Sequence, residues 1–161
     1  ANYSVFLINF VLWIISSVYA PYFANFFNEK KFIELNQALK KSTIYMLAIA
    51  VPIFAIIVCF PKTVISIFDA KYSGSYLPLI ILAIAQLINV ATGPVLFLMN
   101  MIGKERVLMK IILWTSALSV ILGLILIPNY SYTGAAIATA VGLIFQNIIA
   151  LYVARKIINI R

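Results

Sequence analysis

Metal-binding and acidic side chains are scarce in this sequence of 161 residues. It contains no histidine, a single cysteine (Cys59) and only four acidic residues. The missing histidine excludes a histidine proton relay and a histidine-ligated metal site within the chain, and one cysteine cannot form an intrachain disulfide. No glycine-rich phosphate loop or nucleophile motif appears. We therefore expect a protein that is not an enzyme, with no catalytic residue, no metal and no cofactor.

Charged residues of both signs together make up 10% of the chain, whereas 65% of residues are hydrophobic. Soluble domains carry about 25% charged residues. The mean hydropathy is +1.09, so a soluble fold would leave large apolar patches in water. The composition predicts an integral membrane protein.

Five apolar runs are long enough to cross a bilayer, for which about 18 or more apolar residues are needed. Lipid offers no partner to an unpaired backbone group, and no alternating barrel pattern is present, so each run is predicted to be helical. The fold class is therefore an all-α membrane bundle of about five transmembrane helices. The predicted helices are 3–27, 43–60, 75–102, 107–127 and 133–154.

Basic residues fall mainly on one side of these runs. Alternate connections, together with the C-terminus, hold ten lysines and arginines on one side and two on the other. The positive-inside rule places the richer side in the cytoplasm, so the N-terminal end is predicted outside and the C-terminus inside. The net charge of +8 then reflects topology and attraction to anionic membrane lipid rather than binding of nucleic acid.

The segment 28–42 interrupts the apolar pattern with several charges. Phe32, Leu35 and Leu39 recur at helical spacing within it. This pattern predicts a helix lying in the cytoplasmic interface with its apolar side toward the acyl chains. A solvated loop that only fixes orientation, or a linker between two mobile bundles, also fits.

Neutral polar residues form stripes on three of the predicted helices. Such residues tend to face a bundle interior or a water-filled cavity, and they also serve as hydrogen-bond partners between helices. Both roles are open. The substrate-path candidates are Asn9, Ser16, Gln86, Asn89, Asn100, Thr139 and Gln146.

Two further features concern helix geometry. Gly93-Pro94 is predicted to kink the third run, because proline breaks the hydrogen-bond ladder. Gly134, Ala138 and Gly142 form a ridge of small residues on which another helix can pack closely. The fourth run is the expected partner, with its own small face of Ser116, Ser119 and Gly123.

Four motifs occur in order over nearly the whole chain. They are "VYAPYFANFFNEKKFIELNQALKK", which includes Pro21 through Lys41, "IFDAKYSGSYLPLIILA" with Phe68, Tyr72, Leu79 and Leu82, the turn Gly103-Lys104, and "IPNYSYTGAAIAT" with Pro128, Gly134, Ala135, Ala136, Ala138 and Thr139. Together they resemble the C-terminal part of polysaccharide-biosynthesis membrane proteins, the O-antigen and capsule repeat-unit flippases of the multidrug/oligosaccharidyl-lipid/polysaccharide exporter superfamily.

The resemblance implies a two-lobed exporter, of which this chain matches helices eight to twelve. Since the sequence begins with Ala1 rather than Met, it is interpreted as a fragment that lacks the N-terminal lobe, which would be its partner in the same protein. The implied function is moving undecaprenyl-diphosphate-linked oligosaccharide from the inner to the outer leaflet of the bacterial inner membrane. A cation-coupled multidrug antiporter and a non-transporting structural subunit stay open as alternatives.

A diphosphate substrate requires cations, yet no lysine or arginine lies deep in a predicted helix. Basic residues near the two membrane faces are candidates to meet the diphosphate at entry and exit, although topology alone also explains them. These candidates are Lys62, Lys71, Lys104, Arg106 and Lys110.

Cysteine accessibility tests the predicted topology. In the intact protein, with Cys59 replaced, cysteines at Lys40 and Lys41 should react with a membrane-impermeant reagent only from the cytoplasmic side. A cysteine at Tyr72 should react only from outside, because it follows the second run. Labelling of position 72 from the cytoplasm alone would overturn the assigned orientation.

Overall fold

The computed structural model describes residues 2–61 and 76–158, with the side chains from residue 13 onward. All regular structure in these ranges is helical, as an all-α membrane protein requires. The segment 62–75, which contains Lys62, Lys71 and Tyr72, lies outside the described residues. The helices are α1 (Asn2–Asn28), α2 (Phe32–Cys59), α3 (Tyr76–Ala91), α4 (Val95–Met101) and α5 (Glu105–Ile158).

Two helix ends close with the same backbone motif. After α1, the Lys31 N–H donates to the Phe26 carbonyl at 2.9 Å while Lys30 takes a left-handed φ of 56°. After α4, the Lys104 N–H donates to the Met99 carbonyl at 2.9 Å, with Gly103 at φ 70°. These bonds satisfy carbonyls that a helix end leaves free, and glycine adopts the required φ without strain. The Gly-Lys turn of the sequence is thus a helix stop.

The segment predicted to lie in the membrane interface is not a separate element. Residues 32–42 form the first turns of α2, which continues without interruption to Cys59. Leu35 is fully buried and Leu39 packs against the same cluster, so these two positions contact other helices, whereas Phe32 is 38% exposed. Phe32, at the start of α2, packs edge-on against Phe27 of α1. The physical reason is that neighbouring helices cover Leu35 and Leu39, which the sequence pattern alone does not show.

The predicted kink in the third run is confirmed. The axes of α3 and α4 differ by 46° across the break at residues 92–94. Gly93 has φ 76°, and a side chain there would collide with the Thr43 hydroxyl of α2. The break therefore depends on glycine for its conformation and also for the close approach of α2.

Two apolar clusters are stacked along the bundle. One joins the end of α1, the start of α2, α4 and both ends of α5, with Phe23, Leu35, Leu98, Leu108 and Ala154 among its members. The other joins α2, from Met46 onward, to α3 along most of its length. Because the first cluster gathers these helix ends, the basic residues beside them share one end of the bundle, referred to below as the basic end.

The helix α5 doubles back on itself at Ser131, where the backbone has φ 49° and ψ −128°. Contacts between residues 115–126 and 134–142 make its two halves antiparallel. The Ser119 hydroxyl donates to the Ala138 carbonyl at 2.9 Å. Gly134 lies directly against the Leu126 carbonyl, and Gly142 lies against Ser119. Ala138 is buried between the halves, whereas Ser116 is exposed and lies off this face.

Several helices are suited to a bilayer. Among the described residues, α2 and α5 are each long and apolar enough to cross a membrane, and α3 with α4 adds a third span if the bent pair is one unit. A bilayer's hydrocarbon core is about 30 Å thick, or about 20 helical residues. The 54 residues of α5, folded in half, match two such lengths.

Alanine substitutions at two glycines of α5 should have opposite effects. A β-carbon at Gly134 would lie 2.6 Å from the backbone carbon of Leu126, so Gly134→Ala must push the two halves apart. We expect the free energy of unfolding in detergent to fall by about 1–3 kcal/mol.

Gly123→Ala is the matched control. A β-carbon there meets Ile127 Cδ1 at 3.6 Å and Ala138 Cβ at 3.9 Å, which are ordinary contacts. This variant should be neutral or up to about 1 kcal/mol more stable, because alanine favours helix. Equal losses in both variants would contradict the close packing described.

Candidate functional site

A seam of polar side chains crosses the bundle between the two apolar clusters. On α3, the Asn89 Nδ2 donates to Gln86 Oε1 at 3.0 Å, and both residues are buried. At the break, the Thr92 hydroxyl donates to the Asn89 carbonyl at 2.7 Å and lies 3.3 Å from Oδ1 of Asn147 on α5. The Asn147 Nδ2 donates to the Leu143 carbonyl at 2.9 Å. The seam therefore links the broken helix to the second half of α5.

Asn147 and Thr92 were not among the residues selected from the sequence. Asn147 is 1% exposed and lies in line with the buried Ala150 and Ala154, at spacings of three and four residues. In the sequence, Asn147 is marked only by being an amide within a stripe of small residues. The sequence instead favours the neighbouring Gln146, which lies on the same helix face as Thr139. In the structure Gln146 is half-buried and Thr139 is exposed.

The structure brings together two of the predicted path residues, Gln86 and Asn89. Asn100 belonged to the same stripe but lies beyond the bend and is exposed. The bend at residues 92–94 is the physical reason. The stripe assumes one continuous helix, and the bend interrupts that helix before Asn100. Ser16 is fully buried, and its hydroxyl has no hydrogen-bond partner among the described residues. Asn9 lies in α1, and its side chain is outside the described residues.

A cavity of about 530 Å³ adjoins the seam at the basic end. Three elements line it, namely the first turns of α2, the break with α4, and the last turns of α5. α2 has no extensive contact with α5 in the described residues, and both helices border the cavity together with the break and α4. Its polar lining residues are Asn36, Lys40, Thr43, Thr92 and Arg155.

The cavity has a one-sided charge. Lys40 and Arg155 line it, and its lining contains no acidic residue. Within the described part of the chain, neither of them forms a salt bridge. Lys31 differs, because Glu29 accepts its hydrogen bond at 2.6 Å and this bond raises the pKa of Lys31 above its usual value. An anion entering the cavity would therefore meet two cations that no carboxylate already neutralises.

The sequence-based candidates for binding an anion do not line this cavity. Lys104, Arg106 and Lys110 are exposed residues around the start of α5, at the same end of the bundle. Lys62 and Lys71 lie outside the described residues. In the sequence, Lys40 and Arg155 indicate only topology, because no local pattern places the start of α2 and the end of α5 on the same cavity.

One curated protein is similar to this chain. Over 126 residues the chain is 25% identical to "Uncharacterized membrane protein MJ1068" from Methanocaldococcus jannaschii. The matched region covers 78% of this chain and 25% of that protein. The chain thus spans a quarter of the length of the curated relative it matches. No protein-family model matches the sequence. No solved structure matches it. Similarity and helix composition together identify a membrane protein.

Substitution of Gly93 tests the break on which the cavity depends. Gly93→Ala places a side chain on a residue with φ 76° and against the Thr43 hydroxyl. We therefore expect the free energy of unfolding to fall by about 2–4 kcal/mol. In Gly103→Ala, at φ 70° with open space around it, only backbone strain of about 1–2 kcal/mol applies.

The double variant Thr43→Ala/Gly93→Ala separates the two effects. The Gly103→Ala loss measures backbone strain alone. Removing the Thr43 hydroxyl should restore the remaining part of the stability lost in Gly93→Ala, as measured by thermal unfolding in detergent. The Thr43 hydroxyl bonds only locally, to the Leu39 carbonyl, so Thr43→Ala alone should cost little. No recovery in the double variant would show that α2 does not approach Gly93 this closely.

Proposed function

We propose that this chain is the C-terminal part of a flippase in the bacterial inner membrane. In this proposal the protein moves undecaprenyl-diphosphate-linked oligosaccharide from the inner to the outer leaflet for cell-surface polysaccharide assembly. The N-terminal end of the chain faces outside and the C-terminus faces the cytoplasm. The remainder of the protein supplies a second lobe.

The polar seam is the observation that carries this proposal. Moving sugars through a bilayer requires polar groups that replace water at membrane depth, since an unpaired polar group in hydrocarbon costs several kcal/mol. Gln86, Asn89, Thr92 and Asn147 supply neutral amides and a hydroxyl, which suit sugar hydroxyls better than a metal or a strong acid. Gln86, Asn89 and Thr92 lie at a broken helix, the kind of element that transporters use to form a binding site.

The break also supports movement. A bundle that alternates between two open states needs a few residues that absorb the change in backbone angle. Gly93 and Thr92 lie where α3 and α4 already differ in direction by 46°. A change in this angle would move α4, which contributes to the first apolar cluster and to one wall of the cavity.

A transport assay with the intact protein in liposomes tests the proposal. The assay measures how fast a fluorescent polyprenyl-diphosphate oligosaccharide becomes accessible on the opposite leaflet. Asn147→Leu and Gln86→Leu should each lower this rate at least tenfold with unchanged protein abundance, because each removes a polar group from the seam.

Asn100→Leu is the matched control, since it removes the same type of side chain from an exposed position on the far side of the bend. It should transport at nearly the normal rate. If abundance falls in step with transport in the seam variants, the seam serves only to hold the helices together. Cation-dependent drug efflux without movement of the lipid-linked sugar would instead identify an antiporter.

A further inference from the structure

We infer that the cavity at the basic end binds the phosphate headgroup of an anionic membrane lipid, held by Lys40 and Arg155. The occupant is a resident phospholipid with a net negative headgroup. This inference goes beyond the proposed function, because it holds whether or not the chain transports a lipid-linked sugar.

Two cations that are far apart in sequence line the same cavity. Lys40 is on the third turn of α2 and Arg155 is on the last turn of α5, yet both line the same space. Their neighbours Lys41 and Lys156 do not line it, although all four side chains are exposed. The helices thus direct one cation of each adjacent basic pair toward the cavity. Arginine suits phosphate because its guanidinium donates two parallel hydrogen bonds, and lysine adds a point charge.

The depth of the site matches a headgroup. Between Lys40 and Cys59, α2 rises about 29 Å at 1.5 Å per residue, which is close to the 30 Å thickness of the hydrocarbon core. If the far end of α2 lies at one boundary of that core, Lys40 lies at the other. Tyr45 and Tyr152 are both exposed near this level, as expected of aromatic residues at a membrane interface.

The rest of the lining suits an amphiphile. Asn36, Thr43 and Thr92 can bond phosphate or glycerol oxygens, and the apolar wall includes Leu39, Ile44, Val95 and Leu151. A cavity of about 530 Å³ is within the usual range of roughly 300–1,000 Å³ for small-molecule sites. A soluble anion would leave the apolar wall uncovered, whereas the glycerol and first methylenes of a lipid would cover it. The combination therefore favours a lipid over free phosphate.

Native mass spectrometry of the intact protein in an uncharged detergent measures this binding. The titrants are phosphatidylglycerol, phosphatidylcholine with the same acyl chains, and inorganic phosphate. We expect phosphatidylglycerol to bind at least tenfold more tightly than phosphatidylcholine, and millimolar phosphate not to displace it. Displacement by phosphate at equal affinity would overturn the lipid assignment in favour of a soluble-anion site.

Paired charge variants locate the site. Lys40→Gln/Arg155→Gln should weaken phosphatidylglycerol binding about 30-fold, roughly fivefold for each cation, which corresponds to about 1 kcal/mol per basic residue near an anionic surface. Lys41→Gln/Lys156→Gln removes the same charge from the adjacent positions and should leave affinity within about twofold. Equal weakening in both pairs would show general surface attraction and refute the site.

The charge-preserving variant Lys40→Arg/Arg155→Lys is the control for misfolding. It keeps both charges and should retain phosphatidylglycerol affinity within about fivefold, with an unchanged melting temperature. Loss of affinity in this variant at normal stability would mean that charge at the cavity is not what binds the lipid.

Discussion

Unpaired backbone groups are costly inside a bilayer, and the break at residues 92–94 is where this chain meets that constraint. A helix that stops at membrane depth must find other partners for its free groups. Here the Thr92 hydroxyl donates a hydrogen bond to the Asn89 carbonyl, and Asn147 of α5 lies within hydrogen-bond distance of the same hydroxyl. Gly93 lets α2 approach closely enough to cover the break. The seam and the cavity are both consequences of interrupting this one helix.

The break also decides how the bundle is divided. Above it, α2 and α3 form one apolar cluster, and around α4 a second cluster ties together four helix ends. Apolar surface gains little from leaving lipid, so these clusters are held mainly by close packing and by the few hydrogen bonds between helices. Polar contacts such as Thr92 with Asn147 therefore count for more in fixing the arrangement than their number suggests.

Sequence patterns predicted the helical class, the kink at Gly93-Pro94 and the ridge of small residues, because each depends on local composition. They failed where a distant neighbour decides the outcome. Leu35 and Ala38 are covered by other helices, and residues 32–42 form the first turns of α2 rather than a separate element. Asn147 became part of the seam only because α5 folds back beside α3. Lys40 and Arg155 are 115 positions apart, and no local pattern joins them.

The doubled-back α5 has a consequence for how the protein enters the membrane. Ser119 finds its acceptor, the Ala138 carbonyl, within the same hairpin. Thr115 and Thr139 likewise bond carbonyls one turn earlier in their own helices. The hairpin thus needs little from α1 to α4 to satisfy these hydroxyls. During synthesis its two halves can leave the insertion machinery as a closed pair and dock onto the earlier helices as one piece.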